Sequence, residues 1–171
     1  MFRRHLLTRP LAWAVGVAIG SVATGGDWLG TAVAQTPAGA GPLVLPVPVS
    51  LQLELAAALK AGQPLVLMVS LDGCPFCKIA RENYLTPLVR EQGLPVVQIN
   101  MQHRAAVKDV RGRDTTQAQL IADLNVSVAP TLLFYGRGGA EVAPRLEGMS
   151  SLDFYGAYLD QRVQAARQTL R

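Results

Sequence analysis

Residues Leu65 to Leu71 form a nearly unbroken apolar run, which Asp72-Gly73 turns and Cys74-Pro75-Phe76-Cys77 follows at once. A run of this length without polar alternation reads as a strand buried on both faces, so something must cover each side of it. Pro75 suits the first position of a helix, where its missing N–H would have no partner anyway. The segment therefore predicts a strand, a tight turn and a helix, with two cysteines in the first helical turn.

The rest of the chain supplies the cover. Ser50 can cap a helix whose Leu51, Leu55 and Leu59 recur on one face, and Gly62 and Pro64 stop it. The helix opened by Pro75 carries Phe76, Ile79, Ala80, Asn83 and Tyr84 along its length. Pro87 interrupts it or starts another short helix, and Gly93 ends the stretch. Residues 94–101 predict a second strand and 102–114 a polar surface connection. Asp114 or Thr115 caps a helix to about Leu124. Thr131 to Tyr135 predict a third strand, the Gly-rich residues 136–139 a hairpin turn, and Glu141 to Glu147 a fourth strand. Ser150 or Ser151 caps a last helix to about Ala166, with Phe154, Tyr158, Leu159 and Val163 facing inward. This order predicts an α/β sandwich. A sheet of about four strands has a parallel core and an antiparallel hairpin at its edge, with helices on both faces.

Residues 1–34 read as an address. Arg3, Arg4 and Arg9 precede the apolar stretch 11–24, and Ala32-Val33-Ala34 fits a small-x-small cleavage site. An uncleaved membrane anchor is the alternative. The apolar stretch falls short of the roughly 20 residues a spanning helix needs, which favours cleavage. Arg3-Arg4 also faintly matches a twin-arginine signal, although Phe2 stands where Ser or Thr is usual. Residues 35–48, rich in Pro and Gly, read as an extended linker. The folded domain is expected over 49–171. These features predict export to the periplasm.

Charge excludes one class of partner. Without residues 1–34 the formal charge falls from +4 to +2, because Arg3, Arg4, Arg9 and Asp27 leave with them. No basic run or stripe remains to bind nucleic acid.

The chain has two cysteines, three positions apart. Closing so short a loop removes little entropy from the unfolded chain, so a Cys74–Cys77 bond would not be a structural staple. The spacing instead suits chemistry. Cys74 stands at a helix N-terminus, where free N–H groups and the helix dipole stabilise a thiolate, the form that attacks disulfides. Cys77, one turn deeper, can resolve the mixed disulfide that results. Pro75 stiffens the turn and Phe76 offers an apolar rim. Lys78 reads as a solvated side chain. A zinc site would need a second ligand pair, and none is present. His103, the one histidine after residue 34, reads as a solvated loop residue. Copper(I) held by the two thiolates, with a Met, is the alternative function. Thiol exchange itself calls for no cofactor and no metal.

The apolar strand, Asp-Gly-Cys-Pro-Phe-Cys-Lys at 72–78, Val-Ala-Pro-Thr at 128–131 before a strand and hairpin, and a C-terminal amphipathic helix together resemble a thioredoxin-like protein over residues 50–168. The resemblance implies a thioredoxin-like three-layer sandwich and a protein-disulfide oxidoreductase of the periplasm, acting as a reductase. It also implies a cis bond before Pro130, so that Ala129 and Pro130 would bind an extended substrate segment beside Pro75 and Phe76. Implied partners are disulfide-containing proteins and a membrane thiol carrier as electron donor; the chain is expected to be a monomer. Two departures stand out. Gly73 occupies the place of a usual Trp. Met68 occupies the place of a buried Asp that accepts the resolving thiol's proton, leaving water or a group such as Asp72 or Glu82 for that role.

Overall fold

A computed structural model describes residues 44–171. The expected signal and most of the expected linker lie outside the described residues. Within them the order is α1 (Leu51–Lys60), β1 (Leu65–Ser70), α2 (Pro75–Ile79), a π-helical segment (Ala80–Leu85), α3 (Thr86–Gln92), β2 (Val96–Asn100), β3 (Ala106–Lys108), β4 (Asp114–Thr116), α4 (Gln117–Asp123), β5 (Thr131–Tyr135), a short 3-10 turn (Arg137–Gly139), β6 (Glu141–Glu147) and α5 (Leu152–Thr169).

β1, β2, β5 and β6 form one mixed sheet in the order β2-β1-β5-β6. All six residues of β1 are buried, as an inner strand with both faces covered requires. Successive side chains alternate between faces. Val66 and Met68 join a core with α2, α3 and α5, and Leu65, Leu67 and Val69 join a second core with α1 and α4. The expected sandwich, a sheet of four strands with helices on both faces, is the fold observed.

Several details differ from the sequence reading. Within this sheet only β1 and β2 pair in parallel; β5 runs antiparallel to β1, so the hairpin packs beside the central strand instead of extending a parallel core. The polar connection at 102–114 contains a small antiparallel ribbon, β3 with β4. Val107 is the buried residue of β3, too little apolar signal to reveal a strand. Thr116 caps α4, accepting the Gln119 N–H, in place of the expected Asp114 or Thr115. α5 presents Tyr155, Leu159, Val163 and Ala166 to the core, while Phe154 and Tyr158, expected inward, are exposed. Packing also begins before Val49. Leu45 is buried, and the Pro46 carbonyl accepts the Gln98 N–H at 2.9 Å, so residues 44–48 run beside β2.

Candidate functional site

The site grows out of the end of β1. Asp72 and Gly73 turn the chain, with Gly73 at φ +71°. A Cβ there would meet nothing within 4 Å, so the backbone conformation, not crowding, favours glycine. The Cys74 N–H closes the turn on the Leu71 carbonyl at 3.3 Å, and Pro75 opens α2.

Cys74 is itself the N-cap. Its Sγ accepts the Cys77 N–H at 3.2 Å, taking the part a Ser or Asp oxygen usually plays. The same Sγ lies 3.9 Å from the Ala129 carbonyl oxygen, although the two residues are 55 positions apart. Cys74 is half-buried and Cys77 fully buried, both as free thiols. Burial pushes the Cys77 thiol from its ordinary 9.0 up to about 12; the hydrogen bond with Cys74 adds to this, while the Leu71 backbone and the Arg81 charge oppose it. The pair is thus asymmetric. One sulfur is presented at a helix start and the other is held protonated beneath it.

The remaining expected site residues surround Cys74. The Ala129–Pro130 bond is cis, Pro130 is buried, and its carbonyl accepts the Gly148 N–H at 2.8 Å. Pro75 and Phe76 are exposed on the rim, as is Val128 beside Ala129. A cleft of about 490 Å³ opens on one side of Cys74, with Asp72, Lys78, Arg81 and Glu82 in its wall. Lys78 is exposed, as expected of a solvated side chain.

Two groups make contacts that the sequence did not show. His103 is exposed, as expected of a solvated loop residue, and its Nε2 lies 3.0 Å from Asp72 Oδ2. Asn100 donates from Nδ2 to Asp72 Oδ1 at 2.6 Å, and its own N–H donates to Gln117 Oε1 at 2.8 Å. Asp72 is therefore tied to the end of β2 and to the loop that follows it, which steadies the turn before Cys74. The second group is Tyr155. It is buried in the same core as Cys77 and Met68, with its ring centroid 5.0 Å from that of Tyr84. The sequence signal for Tyr155 was its spacing: it stands four and eight residues before Leu159 and Val163 and so shares their helix face, whereas Phe154 and Tyr158 do not.

Met68 is fully buried in that core, so no strand carboxylate stands there. Among the described residues no group of three His, Cys, Asp or Glu side chains could hold a metal ion. The arrangement suits a nucleophile that forms a covalent bond with a partner sulfur and a second thiol that displaces the partner.

A family model described as a thioredoxin-like domain matches residues 51–162, from α1 into α5. Among solved structures, the reduced periplasmic thioredoxin SoxS of Paracoccus pantotrophus is 23% identical with a TM-score of 0.41, the match covering 61% of this chain and 99% of that one. Trxlp of Edwardsiella tarda is 30% identical, with a TM-score of 0.42 and coverage of 61% and 88%. Oxidised thioredoxin O2 of Arabidopsis thaliana is 18% identical, with a TM-score of 0.46 and coverage of 70% and 94%. A comparison with curated proteins finds no match.

Proposed function

The chain belongs to the thioredoxin-like domain family, and on that premise we propose that it is an exported thiol–disulfide oxidoreductase that reduces protein disulfides through Cys74 and Cys77. The observation that carries the reading is the asymmetry of the pair: Cys74 Sγ caps α2 within reach of a partner, and Cys77 is buried below it.

The reaction has two displacements. The Cys74 thiolate attacks one sulfur of a substrate disulfide, and the substrate's S–S bond breaks as the mixed disulfide forms. The departing substrate thiolate takes a proton from water. Cys77 then loses its proton and attacks Cys74 Sγ. A Cys74–Cys77 bond forms, the bond to the substrate breaks, and the second substrate thiolate leaves and is protonated. The substrate gains two electrons and two protons; the protein becomes the disulfide. Ala129 and Pro130 flank the attacking sulfur and would receive an extended substrate segment, with Pro75 and Phe76 as the apolar rim.

Residues 1–34 support export to the periplasm, by cleavage or as an anchor. There a membrane thiol carrier would return the electrons to a monomeric domain. Among the described residues no helix is long and apolar enough to cross a membrane.

The decisive experiment follows turnover of a disulfide-containing peptide by wild type and Cys74→Ser. Undiminished activity in the variant would overturn the reading. Direction is read by equilibrating the domain with glutathione buffers: a potential near about −270 mV fits a reductase, and one near about −120 mV an oxidant. Tight stoichiometric capture of Cu(I) by both thiols, with no exchange activity, would instead identify a copper-binding module.

A further inference from the structure

Cys74 follows the end of β1, and β1 has β2 on one side and β5 on the other. Ala129 and Pro130 lead into β5, so they take one side of the sulfur. The cleft of about 490 Å³ opens on the side of β2, bounded by Gln98, by Cys74, and by Lys78, Arg81 and Glu82. Neither Ala129 nor Pro130 lines it. A protein segment laid along Ala129 and Pro130 would leave this space empty, and its volume lies in the range of small-molecule sites.

The charges in the cleft are of two kinds. Both Asp72 oxygens are engaged, by Asn100 Nδ2 and His103 Nε2, and Arg81 Nη1 donates to Gln98 Oε1. Lys78 and Glu82 are not engaged. They stand four residues apart, a spacing at which opposite charges pair along a regular helix. Here the chain enters the π-helical segment at Ala80 between them. Among the described residues neither group has an ion-pair or hydrogen-bond partner. The cleft thus offers one ammonium and one carboxylate beside a nucleophilic sulfur. A ligand that meets all three carries a carboxylate for Lys78, an ammonium for Glu82 and a sulfur for Cys74. An α-amino acid joined through a disulfide holds these groups on two adjacent carbons.

We propose that the cleft binds disulfides of α-amino-acid thiols, cystine being the simplest, and that Lys78 and Glu82 select them. The inference rests on the reading of Cys74 as the attacking thiol. The Cys74 thiolate attacks one sulfur of the small disulfide, its S–S bond breaks, and one amino-acid thiolate leaves and takes a proton from water. Cys77 then loses its proton and displaces the second. The small disulfide gains two electrons and two protons, and the protein becomes the disulfide.

The test mixes reduced protein with L-cystine, D-cystine, cystamine, dithiodipropionate and hydroxyethyl disulfide, and follows the loss of protein thiols. The two cystines have the same charge and the same intrinsic reactivity, so only contact with the cleft can separate them. Their rates with wild type should differ by more than about twofold, and Lys78→Gln or Glu82→Gln should bring them together. Lys78→Gln should slow cystine and dithiodipropionate about threefold relative to cystamine, which lacks a carboxylate. Glu82→Gln should slow cystine and cystamine about threefold relative to dithiodipropionate, which lacks an ammonium. Each effect is the size of one solvent-exposed ion pair. Dividing by the rate with uncharged hydroxyethyl disulfide removes any effect of the lost charge on Cys74 itself. Enantiomer rates within about twofold in wild type, or variant effects that do not follow the ligand charges, would overturn the inference. If wild type reduces neither a disulfide-containing peptide nor hydroxyethyl disulfide, the reading of Cys74 fails and the role of the cleft fails with it. If wild type reduces both and the cystine pattern is absent, only the role of the cleft fails.

Discussion

α1 and α2 begin in the same way. Each follows an extended residue, Ser50 at φ −144° and ψ 113° or Cys74 at φ −73° and ψ 113°, and each cap side chain accepts the N–H three residues on. The distances are nearly equal: 3.3 Å to Ser50 Oγ and 3.2 Å to Cys74 Sγ. The surroundings differ. Ser50 is buried against the ribbon, where the Lys108 N–H donates to the Val49 carbonyl at 2.9 Å, and its hydroxyl has only a structural task. Cys74 is half-buried beside a cleft, with a second thiol beneath it and the Ala129 carbonyl alongside. One capping geometry thus serves stability in one place and presents a nucleophile in the other. What separates them is the atom at the cap and what the fold packs around it.

The sharpest way to break the comparison is Cys74→Ser, which turns the second cap chemically into the first. Disulfide turnover should fall by about 10³-fold or more, because the nucleophilic sulfur is gone. Unfolding free energy should stay within about 0.5 kcal/mol of the reduced wild type, because serine caps at least as well. A large stability loss, measured by urea titration, would show that the sulfur does more structural work than Ser50 does.

Cys77→Ser should abolish turnover to a similar extent but leave attack intact. The variant should accumulate as a mixed disulfide with the peptide, visible by mass spectrometry as one covalent adduct on Cys74. Absence of an adduct would remove the division of labour between the two thiols.

A smaller effect comes from pH. Because the Cys77 thiol is held up at about 12, the rate of the resolving step should climb about tenfold per pH unit from neutrality to about pH 9, with no plateau. The same shift has a consequence for stability. The folded state keeps a proton that the unfolded chain releases above its ordinary 9.0, so stability falls as pH rises from that value towards about 12. Cys77→Ala should lessen this slope, most clearly between about pH 9 and about pH 10; above that, the Tyr135 and Tyr155 phenols, which burial holds above their ordinary 10.0, add a slope of the same sign. Denaturant titrations at several alkaline pH values would check it.

The smallest change is expected at the structural cap. Ser50→Ala should cost about 1 kcal/mol of unfolding free energy and leave turnover unchanged. A loss of activity without loss of stability would show that the two helix starts are coupled, which the comparison does not allow.

Much of the site was legible because its parts are local. The apolar run of β1, the Asp72-Gly73 turn, Pro75 at the helix start and the cysteine spacing all act within a few residues of one another, so propensity and steric rules suffice to read them. The β6 bounds, Glu141–Glu147, were legible for the same reason. The ribbon of β3 and β4 was not, because Asp114, Thr115 and Thr116 carry no apolar alternation, and its strands are held by pairing with each other and with Ser50. The inward face of α5 was legible only in part: Leu159 and Val163 were read correctly, but Phe154 and Tyr158 were placed with them although Tyr155, four residues before Leu159, is the aromatic that shares the face of Leu159 and Val163. The observed rotation of α5 places Tyr155 against the ring of Tyr84 and brings Gly156 beside that ring, where an added Cβ would sit 3.1 Å from it.

By itself, then, the sequence determined that a buried strand delivers two unequal thiols at the first turn of a helix, since that follows from short-range backbone chemistry. Only the tertiary structure decided what those thiols meet. The Ala129 carbonyl comes to Cys74 across 55 positions, and His103 comes to Asp72 across 31. The Tyr155 phenol comes to the core of Cys77 on another helix. Such meetings depend on sheet order, strand direction and helix rotation, which are set by the packing of whole faces against one another.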